Sequence, residues 1–251
     1  MKFFRVTLAL TLQAVTARAD LSPGELSEIG RKVWHNECAG TVEGLTSWNV
    51  GEEFASLGIG HFIWYPEGRR GPFEESFPAL VRFLETRGAH PPSWTHGACP
   101  WNSRAEFQRE MHGERLQALR AFLAHTIPAQ AEFLSWRMRE ALPKMLAQSR
   151  SPAEVRRRFE RLQQSAHGTF ALIDYVNFKG EGTLPTERYD GEGWGLLQVI
   201  EAMKEDGDPT ANFSEAAKRV LARRVQNAPR ARHEERWLPG WKNRVASYAG
   251  S

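Results

Sequence analysis

The chain has 251 residues, 41% of them hydrophobic, 11% aromatic and 25% charged, a balance that excludes collagen-like, disordered and polytopic membrane classes. That length buries a real core as one two-lobed domain or two small ones, and nine Trp with 14 Phe serve cores and sugar-stacking platforms alike. The formal net charge of +3 comes entirely from Lys2, Arg5 and Arg18, so residues 20–251 are neutral and the basic isoelectric point says little about function.

Residues 1–19 read as a secretory signal. Lys2 and Arg5 form its positive start, Val6 to Val15 a short, mostly apolar run, and Ala17-Arg18-Ala19 the small-x-small cleavage pattern. The run is too short for a bilayer span and no later segment reaches 18 unbroken apolar residues, so the expected location is periplasmic or secreted, with no membrane span after cleavage. Cys38 and Cys99 then meet oxidising conditions, where a disulfide and a pair of buried thiols are equally open readings.

Ser22-Pro23-Gly24-Glu25 is a capping box with Pro at the first helical position, and Ala39-Gly40 supplies the left-handed stop. Counting in fours from Ile29 through Val33 reaches Glu37, so this carboxylate projects from the apolar stripe of the helix. Burial and the negative end of the helix dipole both disfavour its ionised form, the condition a general acid needs. The alternative is a carboxylate paired with an arginine or bonded to backbone N–H groups. An ion-paired Glu37 favours a binding protein over an enzyme.

A β-hairpin is expected next: residues 45–49, a turn at 50–53, and a return strand over 54–65. Strict alternation puts Ser56, Gly58 and Gly60 on one nearly bare face, open to a polysaccharide or simply tightly packed. The stretch from Tyr65 to Trp101 carries six prolines and reads as irregular, interrupted by a short helix over 76–87. Beyond Ser103 the reading is helical, with helices at 104–125, 129–148, 152–177, 193–205, 213–226 and 237–248. β structure is concentrated before residue 66.

Acids outnumber bases from Glu37 to Glu85, and bases outnumber acids from Arg137 to Arg161. The basic run suits an anionic polymer or is a solvated helix face. No motif supports nucleic-acid binding.

A helix ending in Glu37, a hairpin some fifteen residues later, and Ser56-Leu57-Gly58-Ile59-Gly60-His61 resemble the active-site lobe of the phage-type lysozymes. Residues 171–177 with Gly180-Glu181-Gly182, then Phe213-Ser214-Glu215-Ala216-Ala217, then Trp237, Gly240, Trp241 and Arg244 resemble that family's helical lobe in the same order. The resemblance implies an α+β, mainly helical, two-lobed lysozyme-like fold forming a single domain over 20–251. Within it, 20–66 carry the active-site lobe, 67–102 an irregular insertion, and 103–251 the helical lobe. It implies cleavage of β-1,4 bonds between N-acetylmuramic acid and N-acetylglucosamine in peptidoglycan glycan strands, with Glu37 protonating the glycosidic oxygen and no cofactor.

Ser56 stands at the family's hairpin threonine and keeps the hydroxyl that orients an attacking water. The family's aspartate six residues earlier is Val50 here. Glycoside hydrolysis ordinarily uses two carboxylates; Glu53 is the nearest candidate for the second, with Glu52 beside it. Without a second carboxylate, a lytic transglycosylase suffices, because the sugar's own hydroxyl attacks. A non-catalytic glycan binder that kept the fold is the third reading. His61, Tyr65, Asn177, Trp194 and Gln198 are the remaining candidate cleft residues, Trp194 and Gln198 being equally readable as a packed helix start. His35, Glu37 and His61 lack a metal-ligand spacing.

Overall fold

The computed structural model of the protein describes residues 21–71 and 73–250, so the expected signal at 1–19 lies outside the described residues. The fold is mainly helical with a small antiparallel sheet.

Helix α1 (Pro23–Cys38) begins where its sequence dictates. Ser22 Oγ accepts from Glu25 N at 3.3 Å, Glu25 Oε2 accepts from Ser22 N at 2.9 Å, and Ala39 takes the left-handed conformation at φ 52°. The sheet follows as β1 (Thr46–Ser47), β2 (Ala55–Leu57) and β3 (Phe62–Trp64), with β2 in the centre, Ser47 opposite Ser56 and Ser56 opposite Ile63. The single return strand expected over 54–65 is therefore two strands joined by a tight turn. Gly58 (φ 68°) and His61 (φ 49°) both adopt positive φ, and His61 N donates to Gly58 O at 3.2 Å. Alternation fails here because left-handed residues reverse the chain.

The turn also corrects the idea of a bare glycine face. Gln130 fills the space beside Gly58: its Oε1 accepts from Ile59 N at 3.0 Å, and a Cβ on Gly58 would lie 2.4 Å from it. A Cβ on Gly60 would meet the Phe62 ring at 2.6 Å. These glycines serve packing, not a polymer.

Residues 66–71 and 73–102 form a layer stapled to the sheet. Ile63 N donates to Ser76 Oγ at 3.0 Å, Cys99 N to Tyr65 O at 3.0 Å, and Trp64 Nε1 to Gly97 O at 3.1 Å. Helix α2 (Phe77–Thr86) presents Phe77, Leu80, Val81 and Leu84 to the interior. Trp64, Phe77, Trp94, Trp101 and Phe107 make a continuous aromatic cluster with ring centroids 4.7–6.4 Å apart, within the range of favourable tilted and edge contacts. Cys38 and Cys99 are both free and buried. This is the two-buried-thiols reading, and burial pushes each thiol up to about 12.

The helical part contains α3 (Arg104–Arg109), α4 (Glu114–His125), α5 (Ile127–Gln148), α6 (Pro152–Gln163), α7 (Ala166–Lys179), α8 (Leu196–Glu201), α9 (Pro209–Asn227) and α10 (Leu238–Ala246). Two expected helices are each split. Residues 104–125 break at Gly113, the N-cap of α4, and 152–177 breaks at Ser165, whose Oγ accepts from Gly168 N at 2.9 Å. A further hairpin, β4 (Arg188–Tyr189) and β5 (Glu192–Gly193), closes through Asp190 and Gly191, both at positive φ, as an Asp-Gly turn favours. Helix α7 is buried continuously from Gly168 to Tyr175 and forms the centre of the helical part, while the 22-residue α5 runs from the β2–β3 turn to the end of α7. No helix among the described residues is long and apolar enough to cross a membrane.

Gly58→Ala combines a positive φ with a collision at Gln130, so it should lower unfolding free energy by about 3 kcal/mol in urea denaturation.

Candidate functional site

The apolar stripe on α1 ends as its spacing predicts. Ile29 and Val33 are 2% and 0% exposed, and Glu37, one turn on, keeps 13% of its side chain in solvent. Three distant segments meet it. Glu37 Oε1 accepts from Arg244 Nη2 at 2.5 Å and from Asn177 Nδ2 at 3.2 Å, while Oε2 lies 3.5 Å from His61 Nδ1. His61 comes from the β2–β3 turn, Asn177 from α7 and Arg244 from α10. Of the two readings open for this carboxylate, the arginine-paired one is in place, with Arg244 as the partner.

Arg244 is anchored more strongly by another acid. Its Nε and Nη2 donate to Asp174 Oδ2 and Oδ1, both at 2.8 Å. Asp174, 0% exposed, also accepts from Asn36 Nδ2 at 3.2 Å and from Tyr248 Oη. Burial works against the guanidinium charge of Arg244, but Asp174 and then Glu37 outweigh it and raise its pKa. Burial, followed by the Asp174 charge, holds the Tyr248 phenol well above its ordinary value. A fully buried acid is tolerated because every lone-pair direction is used.

His61 is held below the ordinary imidazole value, because burial and the Arg244 charge exceed the opposing effect of Glu37. At neutral pH it is an uncharged donor or acceptor, set by tautomer. Beside Arg244, whose guanidinium carbon lies 4.1 Å from the Phe178 ring centre, stands an aromatic wall. Lys179 Nζ is 3.9 Å from the centre of Phe178 and 3.5 Å from that of Trp241, and Trp237, 42% exposed, continues the wall 6.1 Å from Trp241. Burial first, then repulsion from Arg224, with Arg244 adding to it, bring the Lys179 amine down to about 6 against the pull of Glu234 and Glu37.

The other sequence candidates fall into separate places. Glu53 is exposed and paired with Arg69 at 2.6 Å. Its neighbour Glu52 is half-buried, accepts from Asn49 Nδ2 at 3.0 Å, and is raised above the ordinary carboxyl value chiefly by burial. Ser56 is 3% exposed on the central strand, its carbonyl accepting from Ser47 Oγ at 3.3 Å. Tyr65 is 4% exposed and packs edge-on against Phe54 at 5.3 Å.

Trp194 is buried against Tyr189 at 4.5 Å and under the Arg224 guanidinium at 4.1 Å. Gln198 staples the loop before α8, accepting from Gly195 N at 3.0 Å and donating to Gly182 O at 3.1 Å. The structure therefore gathers Glu37, His61 and Asn177, and places Ser56, Tyr65, Trp194 and Gln198 in packing. No group of three or more His, Cys, Asp or Glu among the described residues is arranged to hold a metal ion.

Sequence reasoning passed over Asp174 and Lys179 as site residues. The signal for Asp174 was the same one that singled out Glu37: a lone acid inside an apolar helical run, here residues 170–176. Comparison with known proteins finds no matching family model, no matching curated protein and no matching solved structure.

Asp174→Ala leaves Arg244 buried with one carboxylate instead of two, so unfolding free energy in urea should fall by about 3–5 kcal/mol. Lys179 gives a pH signature. Between about pH 6 and the ordinary lysine value near 10, the folded amine is neutral and the unfolded one protonated. The unfolded state then holds more protons, and the Lys179 contribution makes stability rise with pH across that window. Lys179→Met should be more stable than wild type at pH 6, with the gap narrowing by pH 9 in paired urea titrations.

Proposed function

We propose that the protein is an exported glycosidase that cleaves peptidoglycan glycan strands, with Glu37 as its acid, on a two-lobed lysozyme-like plan of hairpin lobe and helical lobe. The observation that supports this reading is the convergence at one partly exposed carboxylate of His61, Asn177 and Arg244. Each belongs to one of the separated sequence segments that resemble the phage-type lysozymes.

Arg244 is shared between Asp174 and Glu37, so a proton on Glu37 leaves a balanced Arg244–Asp174 pair and not a buried net charge. Oε1 is committed to Arg244 and Asn177, and Oε2, facing neutral His61, is the oxygen left to protonate a glycosidic oxygen. Such acid catalysis is worth about 10²–10⁴-fold. Trp237, 42% exposed at the end of the aromatic wall, offers apolar surface to a sugar.

Two carboxylates are needed for ordinary hydrolysis. Glu52 is less committed than Glu53: it is half-buried and bonded to Asn49, whereas Glu53 is 72% exposed and paired with Arg69. A lytic transglycosylase would not need Glu52, since the muramyl hydroxyl attacks and an anhydro sugar forms. The 2.5 Å Glu37–Arg244 ion pair favours a second reading, a glycan-binding protein without turnover.

Mass spectrometry of fragments released from purified peptidoglycan separates these readings. Reducing-end muropeptides, reduced at least about a hundredfold in both Glu37→Gln and Glu52→Gln, are the expected result for a hydrolase. Anhydro-muropeptides lost in Glu37→Gln but retained in Glu52→Gln identify a transglycosylase. If no fragments appear while wild type and Glu37→Gln bind sacculi equally, catalysis is refuted and the binding reading replaces it.

A further inference from the structure

The basic run from Arg137 to Arg161 mostly disappears into packing. Lys144 pairs with Glu181 at 2.8 Å. Arg158 pairs with Glu205 at 2.6 Å and donates to the carbonyls of Ile200 and Glu201, and Arg161 donates to the carbonyls of Glu205 and Gly207. Arg137 differs. It is half-buried on α5, and among the described residues it makes no hydrogen bond and no ion pair. Only Glu74, in the exposed loop before α2, and Glu181, just beyond α7, act on its charge through space.

Its position follows from helical geometry. Residues 130, 134, 137, 141 and 144 recur every three or four along α5 and share one face. At one end of that face Gln130 Oε1 accepts from Ile59 N at 3.0 Å, two residues before His61. At the other end Lys144 holds Glu181, four residues beyond Asn177 and just past the end of α7. His61 and Asn177 are both partners of Glu37. Arg137 therefore lies about 10 Å from either end, on the strip of α5 that joins the hairpin wall of the Glu37 site to its α7 wall. An unpaired, partly desolvated guanidinium is costly, and its planar donor fork matches a carboxylate in two parallel bonds.

We propose that Arg137 is the receptor for a carboxylate borne by the glycan strand, making the Glu37 cleft selective for acidic over neutral β-1,4-linked amino sugars. This rests on the glycan reading above. Two sources supply that group: the lactyl ether of muramic acid once its peptide is removed, and the acidic residues of an attached stem peptide. Glu181 is already neutralised by Lys144 and Glu74 is exposed, so neither acid satisfies Arg137.

The test is calorimetric titration in a Glu37→Gln background, which halts turnover, with Arg137 intact or changed to Gln. Three tetrasaccharides serve as probes: chitotetraose, peptide-free muramyl glycan with free lactyl carboxylates, and the same glycan with stem peptides. With Arg137 present, a carboxylate-bearing probe should bind about 10- to 100-fold tighter than chitotetraose at low salt. Arg137→Gln should abolish that preference while leaving chitotetraose affinity unchanged, and Arg137→Lys should restore part of it. Loss confined to the peptide-free glycan assigns the lactyl group, and loss confined to the peptide-bearing one assigns the stem peptide.

Equal binding of all three probes, or a preference that survives Arg137→Gln, overturns the proposal and leaves the glycan reading standing. Failure to bind any probe overturns both. Matched melting temperatures for the Arg137 variants exclude unfolding as the cause.

Discussion

The Asp174 carboxylate, sealed inside the helical part, is the constraint from which the site is built. A buried carboxylate without compensation costs several kcal/mol, and a buried pair is stable only with good geometry and further hydrogen bonds. Here Arg244 approaches with two nitrogens at 2.8 Å, and Asn36 and Tyr248 complete the shell. Those four residues come from α1, α7, α10 and the turn after α10, so satisfying one acid fixes the mutual placement of three helices. Glu37 then inherits its geometry, because the same Nη2 that bonds Asp174 reaches it at 2.5 Å.

The hairpin side is positioned by different physics. The β2–β3 turn has no charge to anchor it, and two positive-φ residues plus a buried amide do the work. Gln130 accepts from Ile59 N and donates to Leu123 O at 2.6 Å, tying the turn to α4 and α5. Glycine at 58 admits that amide at a distance no side chain permits. His61, ending the turn at φ 49°, is delivered to Glu37 as a consequence. One wall is set by electrostatics and the other by steric exclusion, and Glu37 sits where they meet.

The aromatic residues divide along similar lines. Trp48, Trp64, Trp101 and Trp194 are 0–6% exposed and hold the layer of residues 66–71 and 73–102 and the hairpin of β4 and β5 in place. Trp237 and Trp136 are about two-fifths exposed. Of these, Trp237 extends the wall beside Arg244, where Lys179 is squeezed between rings. Ring faces favour a charged amine over them, but burial and two arginines win, which is why that lysine is brought down to about 6.

Local chemistry made much of this legible. The capping box and left-handed stop bounded α1, fourfold spacing put Glu37 on its apolar stripe, and the apolar helical runs beyond residue 103 located most of the helical part. These depend on residues within a few turns of one another. Alternation failed at residues 58–61 because it assumes an extended chain, and the long helices at 104–125 and 152–177 hid caps at Gly113 and Ser165 that periodicity does not register.

What lay across the chain was decided only by the tertiary structure. The arginine at Glu37 is 207 residues away in sequence, the burial of Glu52 beside an exposed Glu53 is set by how the loop packs, and the fate of each cation between Arg137 and Arg161 depends on which helix packs against it. Sequence spacing specifies the face of an element; the partner that face meets is chosen by packing among elements, and charge and burial follow from that choice.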